Sequence, residues 1–134
     1  MVIAQGLLDR IVAHARREFP NECCGLIATR DGVATGADEA ENLAASPFRF
    51  EVDGLELHRR LTVIEDRGDE LGAIYHSHTR SDPYPSQTDV NFATGWPGVE
   101  WVIVGLKEGD PVVRNFRIED GRVVEAELRV DGDG

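Results

Sequence analysis

Only two of the 134 residues are cysteine, and they are neighbours, Cys23 and Cys24. Adjacent cysteines rarely pair with each other, and with no third there is no disulfide framework. Their plain reading is two small apolar residues buried on a strand, with a cysteine nucleophile as the alternative. No apolar run approaches the ~18 residues that mark a membrane span. The first residues also make a poor export signal, because Asp9 and Arg10 interrupt the apolar stretch and no basic segment precedes it. A cytoplasmic protein with no membrane partner is therefore expected. Basic residues are scarce as well: 14 Lys and Arg stand against 25 Asp and Glu, a net charge of -11. That field repels phosphate backbones and no basic stripe compensates for it, which argues against nucleic-acid binding. The acid serves solubility and also suits a basic face on a protein substrate.

Repeats, linkers and low-complexity tracts are lacking too. Residues 1–130 are expected to form one domain, with 131–134 a frayed acidic end. Leu7, Leu8, Ile11, Val12, Ala15 and Phe19 repeat at helical spacing, and Pro20-Asn21 ends that amphipathic helix. Cys24 to Thr29 reads as a buried strand, turned at Asp31-Gly32 into a hairpin partner from Val33. Residues 36–47 look like a loop and Phe48 to Val52 like a short strand. Asp53 is placed to cap a second helix carrying Leu57, Leu61 and Ile64, which ends near Arg67-Gly68. Leu71 to Tyr75 is a strand running into His76-Ser77-His78. A loop with Pro83 and Pro85 leads to a helix beginning near Ser86. Trp101 to Leu106 is a buried strand, and Asp120-Gly121 joins the alternating runs Val112–Ile118 and Val123–Val130. Three helices and six or seven strands in this order predict an α+β fold, with helices flanking a mixed, mostly antiparallel curved sheet.

On a strand, residues i and i+2 share a face, so His76 and His78 can converge on one metal ion. Such a pair is also common on surfaces and does not by itself establish a metal. Ser86-Gln87-Thr88-Asp89 stands at a helix start and is a variant of the N-cap signature. The capping role and a ligand role for Asp89 can coexist, since a first-turn carboxylate can face the histidines. Two His and one Asp would leave a fourth tetrahedral position open, as in catalytic zinc sites. Glu22, between the first helix and the first strand, is a candidate base; nothing in its spacing ties it to His76. His14 and His58 lack partners at ligand spacing, Trp101 reads as core, Trp96 is a further aromatic, and Tyr84 beside the site is a candidate substrate contact.

A glutamate before Cys-Gly, then His-Ser-His, seven residues, Ser86, two residues and Asp89 resembles the JAMM motif of the MPN+ metalloproteases. Eukaryotic members of that family remove ubiquitin and ubiquitin-like proteins. The order of elements is similar across nearly the whole chain, implying an MPN-like (cytidine-deaminase-like) fold. His14 to Arg17, Pro20 to Gly25, Ile74 to Thr79 and Tyr84 to Val90 look like the actinobacterial Mec-type peptidases, and Thr79, where many members carry proline, fits that subgroup. Those enzymes release cysteine from the C-terminus of a ubiquitin-like sulfur-carrier protein in cysteine biosynthesis. The resemblance implies Zn²⁺ held by His76, His78 and Asp89, Glu22 as the acid–base group and Ser86 as an oxyanion donor. Lysine isopeptide cleavage is the alternative activity, and an inactive MPN scaffold binding partners the alternative class. No feature of the sequence fixes an oligomeric state.

Overall fold

A computed structural model describes residues 1–48 and 50–132 of the chain. The apolar stripe of the first segment forms helix α1, Gln5–Glu18, which buries Leu8, Ile11, His14 and Ala15 and places Arg16 and Arg17 at its carbonyl end. Strand β2, Cys24–Arg30, turns at Asp31 (φ 52) and Gly32 (φ 79) into β3, Val33–Ala40. Two successive left-handed residues are what a two-residue hairpin turn of matching twist needs. Helix α2, Gly54–Asp66, starts at Asp53, whose side chain accepts from the Leu55 and Glu56 N–H groups. Then come β4 (Glu70–His78), α3 (Gln87–Ala93), β5 (Glu100–Gly105), β6 (Val112–Glu119) and β7 (Arg122–Ala126). Two three-residue strands, β1 (Val2–Ala4) and β8 (Arg129–Asp131), complete the described elements.

The strands form a sheet in the order β7-β6-β5-β4-β2-β3-β1-β8. Four pairings are antiparallel (β2 with β3, β2 with β4, β5 with β6, β6 with β7) and three are parallel (β4 with β5, β1 with β3, β1 with β8). The sheet is thus mixed and leans antiparallel, as the sequence predicts. Its curvature follows from connectivity. β7 and β8 occupy opposite edges, yet only Glu127 and Leu128 separate them. Two residues span at most ~10 Å between flanking Cα atoms, so the sheet curls until its edges meet. Glu127 closes the seam, its carbonyl accepting from the Met1 amine at 3.0 Å and from Asn115 Nδ2 at 3.3 Å.

Two apolar clusters lie on the two faces. One joins α1 to Ile3, Ile27, Ala73, Tyr75, Val102 and Val104, with Leu128 packed against it, so α1 fills the side toward which the sheet curls. The other joins Leu57 and Ile64 of α2 and Ala93 of α3 to Leu26, Ile74, Trp101, Ile103 and Phe116. No described helix is long and apolar enough to cross a membrane.

Four expectations need correction. β3 runs to Ala40 rather than dissolving at residue 36, because its polar residues face outward while its backbone pairs with β2 as far as Cys24↔Ala40. Phe48 and Phe50 to Val52 lie outside any described strand, and Arg49 falls outside the described residues. The alternation there is real but serves packing, since Phe50 and Val52 cover the second cluster. The run Val123–Val130 is split between the two edges as β7 and β8. Asp131, expected to fray, pairs with Ala4 in β8, and residues 133–134 fall outside the described residues.

One register positions the chemistry. β2 and β4 are antiparallel with Cys24↔His76, and the Ser77 N–H donates to the Cys23 carbonyl at 3.2 Å. Continuing that register by two residues sets Glu22 opposite His78, although 56 positions separate them in sequence (78 − 22).

Candidate metal centre and active site

His76 and His78 close β4 on one face of the strand, both buried. Asp89 reaches them from the first turn of α3, where it is also buried. Three atoms converge: His76 Nε2 and His78 Nε2 lie 3.1 Å apart, and Asp89 Oδ2 lies 3.1 Å from the first and 3.2 Å from the second. Among the described residues these side chains form a group able to hold a metal ion. The triangle fits one face of a tetrahedron, whose edges are about 3.3 Å for metal–ligand bonds of ~2.0 Å. The donor chemistry fits as well. His78 Nδ1 lies 2.8 Å from the Asp82 carbonyl, to which only an N–H can donate, so the neutral ring presents the lone pair of Nε2 to the centre. Phe50 stacks on the His76 ring at 4.7 Å and 30°, fixing its plane.

The electrostatics favour the ligand forms at two of the three positions. Complete burial keeps His76 neutral by pushing its pKa down. Burial alone would raise the Asp89 carboxyl, but the facing His76, hydrogen bonds from both imidazoles and one from the Ser86 N–H hold it well below the usual carboxylate range. At His78 burial works downward and is outweighed by Asp89 and the Asp82 carbonyl, so its pKa is raised. A metal ion held by His78 would require that ring in its neutral form.

Ser86 caps α3 in the reciprocal manner its sequence predicts. Its Oγ accepts from the Asp89 N–H at 3.1 Å, while its own N–H donates to Asp89 Oδ2 at 2.9 Å. The cap therefore also aims the carboxylate at the histidines. It uses an oxygen lone pair and leaves the hydroxyl proton free to donate elsewhere, so capping and donation do not compete for one atom.

Glu22 is buried at 4 % exposure, and its carboxyl is pushed up to about 7. Burial is the main cause; His78 opposes it and Asp89 adds to it, which places Glu22 within electrostatic reach of the centre. Its backbone is fastened on both sides: the Glu22 N–H donates to the Ser46 carbonyl at 2.8 Å and Asn42 Nδ2 donates to the Glu22 carbonyl at 2.9 Å. Next to it, the Cys23 N–H donates to Ser77 Oγ at 2.8 Å, so the serine between the two histidines ties the Glu22 segment to their strand.

Among the other residues singled out by sequence, His14 is buried and its Nδ1 meets Tyr75 Oη at 2.7 Å, and His58 is exposed on α2. Trp101 is core, and Tyr84 is half-exposed with its ring edge-on to Phe116. Cys23 and Cys24 are buried thiols, each pushed by burial up to about 12, which removes the nucleophile reading. Sequence reasoning missed Phe50, Asn42 and Ser46. They come from a stretch read as loop and strand, and only the tertiary register reveals that it wraps the site.

Comparison with known proteins shows the family of the chain. The profile of the prokaryotic homologs of the JAB domain matches residues 4–119. The chain belongs to that family, and thereby to the JAMM class of metallopeptidases. A CysO-cysteine peptidase of Mycobacterium tuberculosis is 37% identical over 97% of this chain and 90% of its own. A desampylase of Haloferax volcanii is 38% identical over 75% of this chain and 77% of its own. A solved Desulfitobacterium hafniense protein superposes with a TM-score of 0.84 at 29% identity, covering 99% of this chain and 94% of that one. A JAB1/MPN domain protein from Archaeoglobus fulgidus, at 22% identity, shares the fold with a TM-score of 0.66 over 97% of this chain and 98% of its own.

Proposed function

We propose that residues 1–130 form the catalytic domain of a zinc-dependent peptidase that cuts the amide bond after the C-terminal Gly-Gly of a ubiquitin-like sulfur-carrier protein, releasing cysteine. The observation that carries this reading is the convergence of His76, His78 and Asp89 on one point, with the buried Glu22 within electrostatic reach of His78 and Asp89. His76 Nε2, His78 Nε2 and Asp89 Oδ2 would hold the ion. Bound there, Zn²⁺ would supply Lewis-acid chemistry, polarising a carbonyl and lowering the pKa of a water molecule toward ~7.

The chain's own residues do the rest. A carboxylate oxygen of Glu22 takes the proton of the attacking water and returns it to the leaving nitrogen. Without the metal, burial pushes its carboxyl up to about 7, so it holds a proton more readily than an exposed glutamate does. The Ser86 hydroxyl donates to the oxygen that gains negative charge, while its oxygen keeps α3 and Asp89 in place. Phe50 and Ser77 keep His76 and the Glu22 segment in register.

The substrate side rests on the likeness to the CysO-cysteine peptidase, which runs nearly the full length of both chains. A second reading, removal of a ubiquitin-like modifier from lysine, draws on the desampylase likeness. Offering the zinc-loaded protein one carrier as a C-terminal cysteine adduct and as a lysine isopeptide separates the two. Faster release of cysteine supports the first reading, and cleavage of the lysine adduct alone moves the assignment to the second. Cleavage of neither, with zinc bound, leaves a partner-binding scaffold.

A further inference from the structure

The segment that follows the histidines carries a cation the mechanism does not use. Arg80, exposed, stands two residues beyond His78, and its guanidinium lies over the ring of Phe48, 5.6 Å from the centroid. Phe48 is itself 72% exposed, so its ring is open to the guanidinium from the solvent side. The pair is built rather than incidental, because the loop that carries Phe48 is fastened at three points. The Phe48 N–H donates to Ser46 Oγ at 3.1 Å, and the Ser46 carbonyl accepts from the Glu22 N–H at 2.8 Å. Thr79 Oγ1 lies 3.0 Å from both the Pro47 and the Pro20 carbonyls and donates its proton between them. The same contacts that seat Glu22 therefore seat Phe48 beside Arg80.

The cations that touch the 79–85 loop differ from Arg80 in their pairing. On the other side of the 79–85 loop, Lys107 pairs with Asp82 at 3.4 Å and Arg114 with Glu125 at 2.9 Å. Among the described residues, Arg80 has no carboxylate within ion-pair distance. In a chain with a net charge of -11, an arginine left without acid at the edge of a hydrolytic centre is available to an anionic ligand. A guanidinium held by its face on an aromatic ring keeps its N–H edge for a carboxylate, which it binds bidentately.

Resting on the peptidase reading above, we propose that Arg80 is the specificity-determining residue of this site, receiving the free α-carboxylate of the amino acid that is released. When a single residue leaves, its carboxylate lies one residue beyond the scissile carbonyl, within ~4 Å of chain. Arg80 lies two residues beyond a centre-forming histidine, at most ~7 Å of chain away, and an arginine side chain is long enough to bridge the remainder. In a lysine isopeptide the leaving nitrogen is separated from its backbone by four methylenes, and that backbone is a neutral peptide. An arginine at this place therefore distinguishes release of a free amino acid from isopeptide cleavage. A thiol is not required by the arrangement; a free carboxylate is.

The test uses one carrier in three forms: ending Gly-Gly-Cys with a free carboxylate, ending in the same cysteine as a carboxamide, and joined through Gly-Gly to a lysine side chain. The zinc-loaded wild type should prefer the free acid to the carboxamide by about 10- to 100-fold in kcat/KM, mostly through KM, as expected for a charge-assisted hydrogen bond. Arg80→Gln should bring that ratio near one, Arg80→Lys should keep part of it, and raised ionic strength should narrow it in the wild type. Binding of the acid and carboxamide carriers to the Glu22→Gln protein, read by calorimetry, should show the same preference without turnover. An equal rate on acid and carboxamide by the wild type, or a preference retained in Arg80→Gln, would overturn the assignment. Cleavage of none of the three forms with zinc bound would instead remove the peptidase reading, and the assignment with it.

Discussion

Without the metal, Glu22 should cost the protein stability whenever it is ionised. The residue is 4 % exposed, and its carboxyl is pushed up to about 7 from an ordinary value of 4.5. The folded state therefore holds the proton more tightly than the unfolded chain. Between ~4.5 and ~7 the unfolded chain gives up its proton first, so this group's contribution falls as pH rises and is lowest above 7. The difference, 7 − 4.5, is about 2.5 units, or about 3 kcal/mol at ~1.4 kcal/mol per unit. Glu22→Gln keeps the shape and removes the charge. In chelator, the variant should match wild type near pH 4 and exceed it by about 2–3 kcal/mol at pH 8. Urea unfolding at the two pH values, read as a shift in midpoint at constant slope, measures this. Zinc should narrow the gap, because a nearby dication favours the ionised form. Equal midpoints at pH 8 would refute the claim that the carboxyl is buried against its charge.

Other consequences are simpler to read. Ser77→Ala leaves the buried Cys23 N–H without its 2.8 Å acceptor and should lower stability by about 1–3 kcal/mol in denaturant unfolding. Gly25→Ala places a methyl 2.3 Å from the Tyr75 ring atoms on the α1 side of the sheet, an overlap expected to lower the melting temperature by a loss of about 1–3 kcal/mol or more. Cys23 and Cys24, buried and pushed up to about 12, should stay unlabelled by a thiol reagent in the native protein at pH 8 and react fully once it is unfolded.

Much of the fold was readable wherever a local rule acted alone. The stripe of α1, the Asp31-Gly32 turn, the Asp53 cap and the reciprocal cap of Ser86 and Asp89 each depend on residues within one or two turns, and each formed where it was expected. The three-residue strand β1 was missed, and β8 was merged with β7 into one run, because neither is long enough to hold a periodic signal of its own. They exist because the curled sheet brings its edges together. β3 was cut short because its sequence is polar and its pairing is carried by backbone. At the site, the His76–His78 spacing and the Ser86–Asp89 cap suggested ligands by geometry, whereas Glu22 was a candidate base that only family likeness tied to the histidines. Its meeting with His78 is a matter of β2–β4 register, which no local pattern encodes. Phe50 and Asn42 stayed hidden for the same reason.

The central claim is that hydrolysis depends on an ion held by His76, His78 and Asp89. The most direct measurement is the intact mass of a sulfur-carrier protein ending Gly-Gly-Cys after incubation with zinc-loaded protein, with chelated protein, and with chelated protein resupplied with zinc. The account predicts loss of a single cysteine in the first and third samples and none in the second. Cysteine loss that persists in the chelated sample would contradict it.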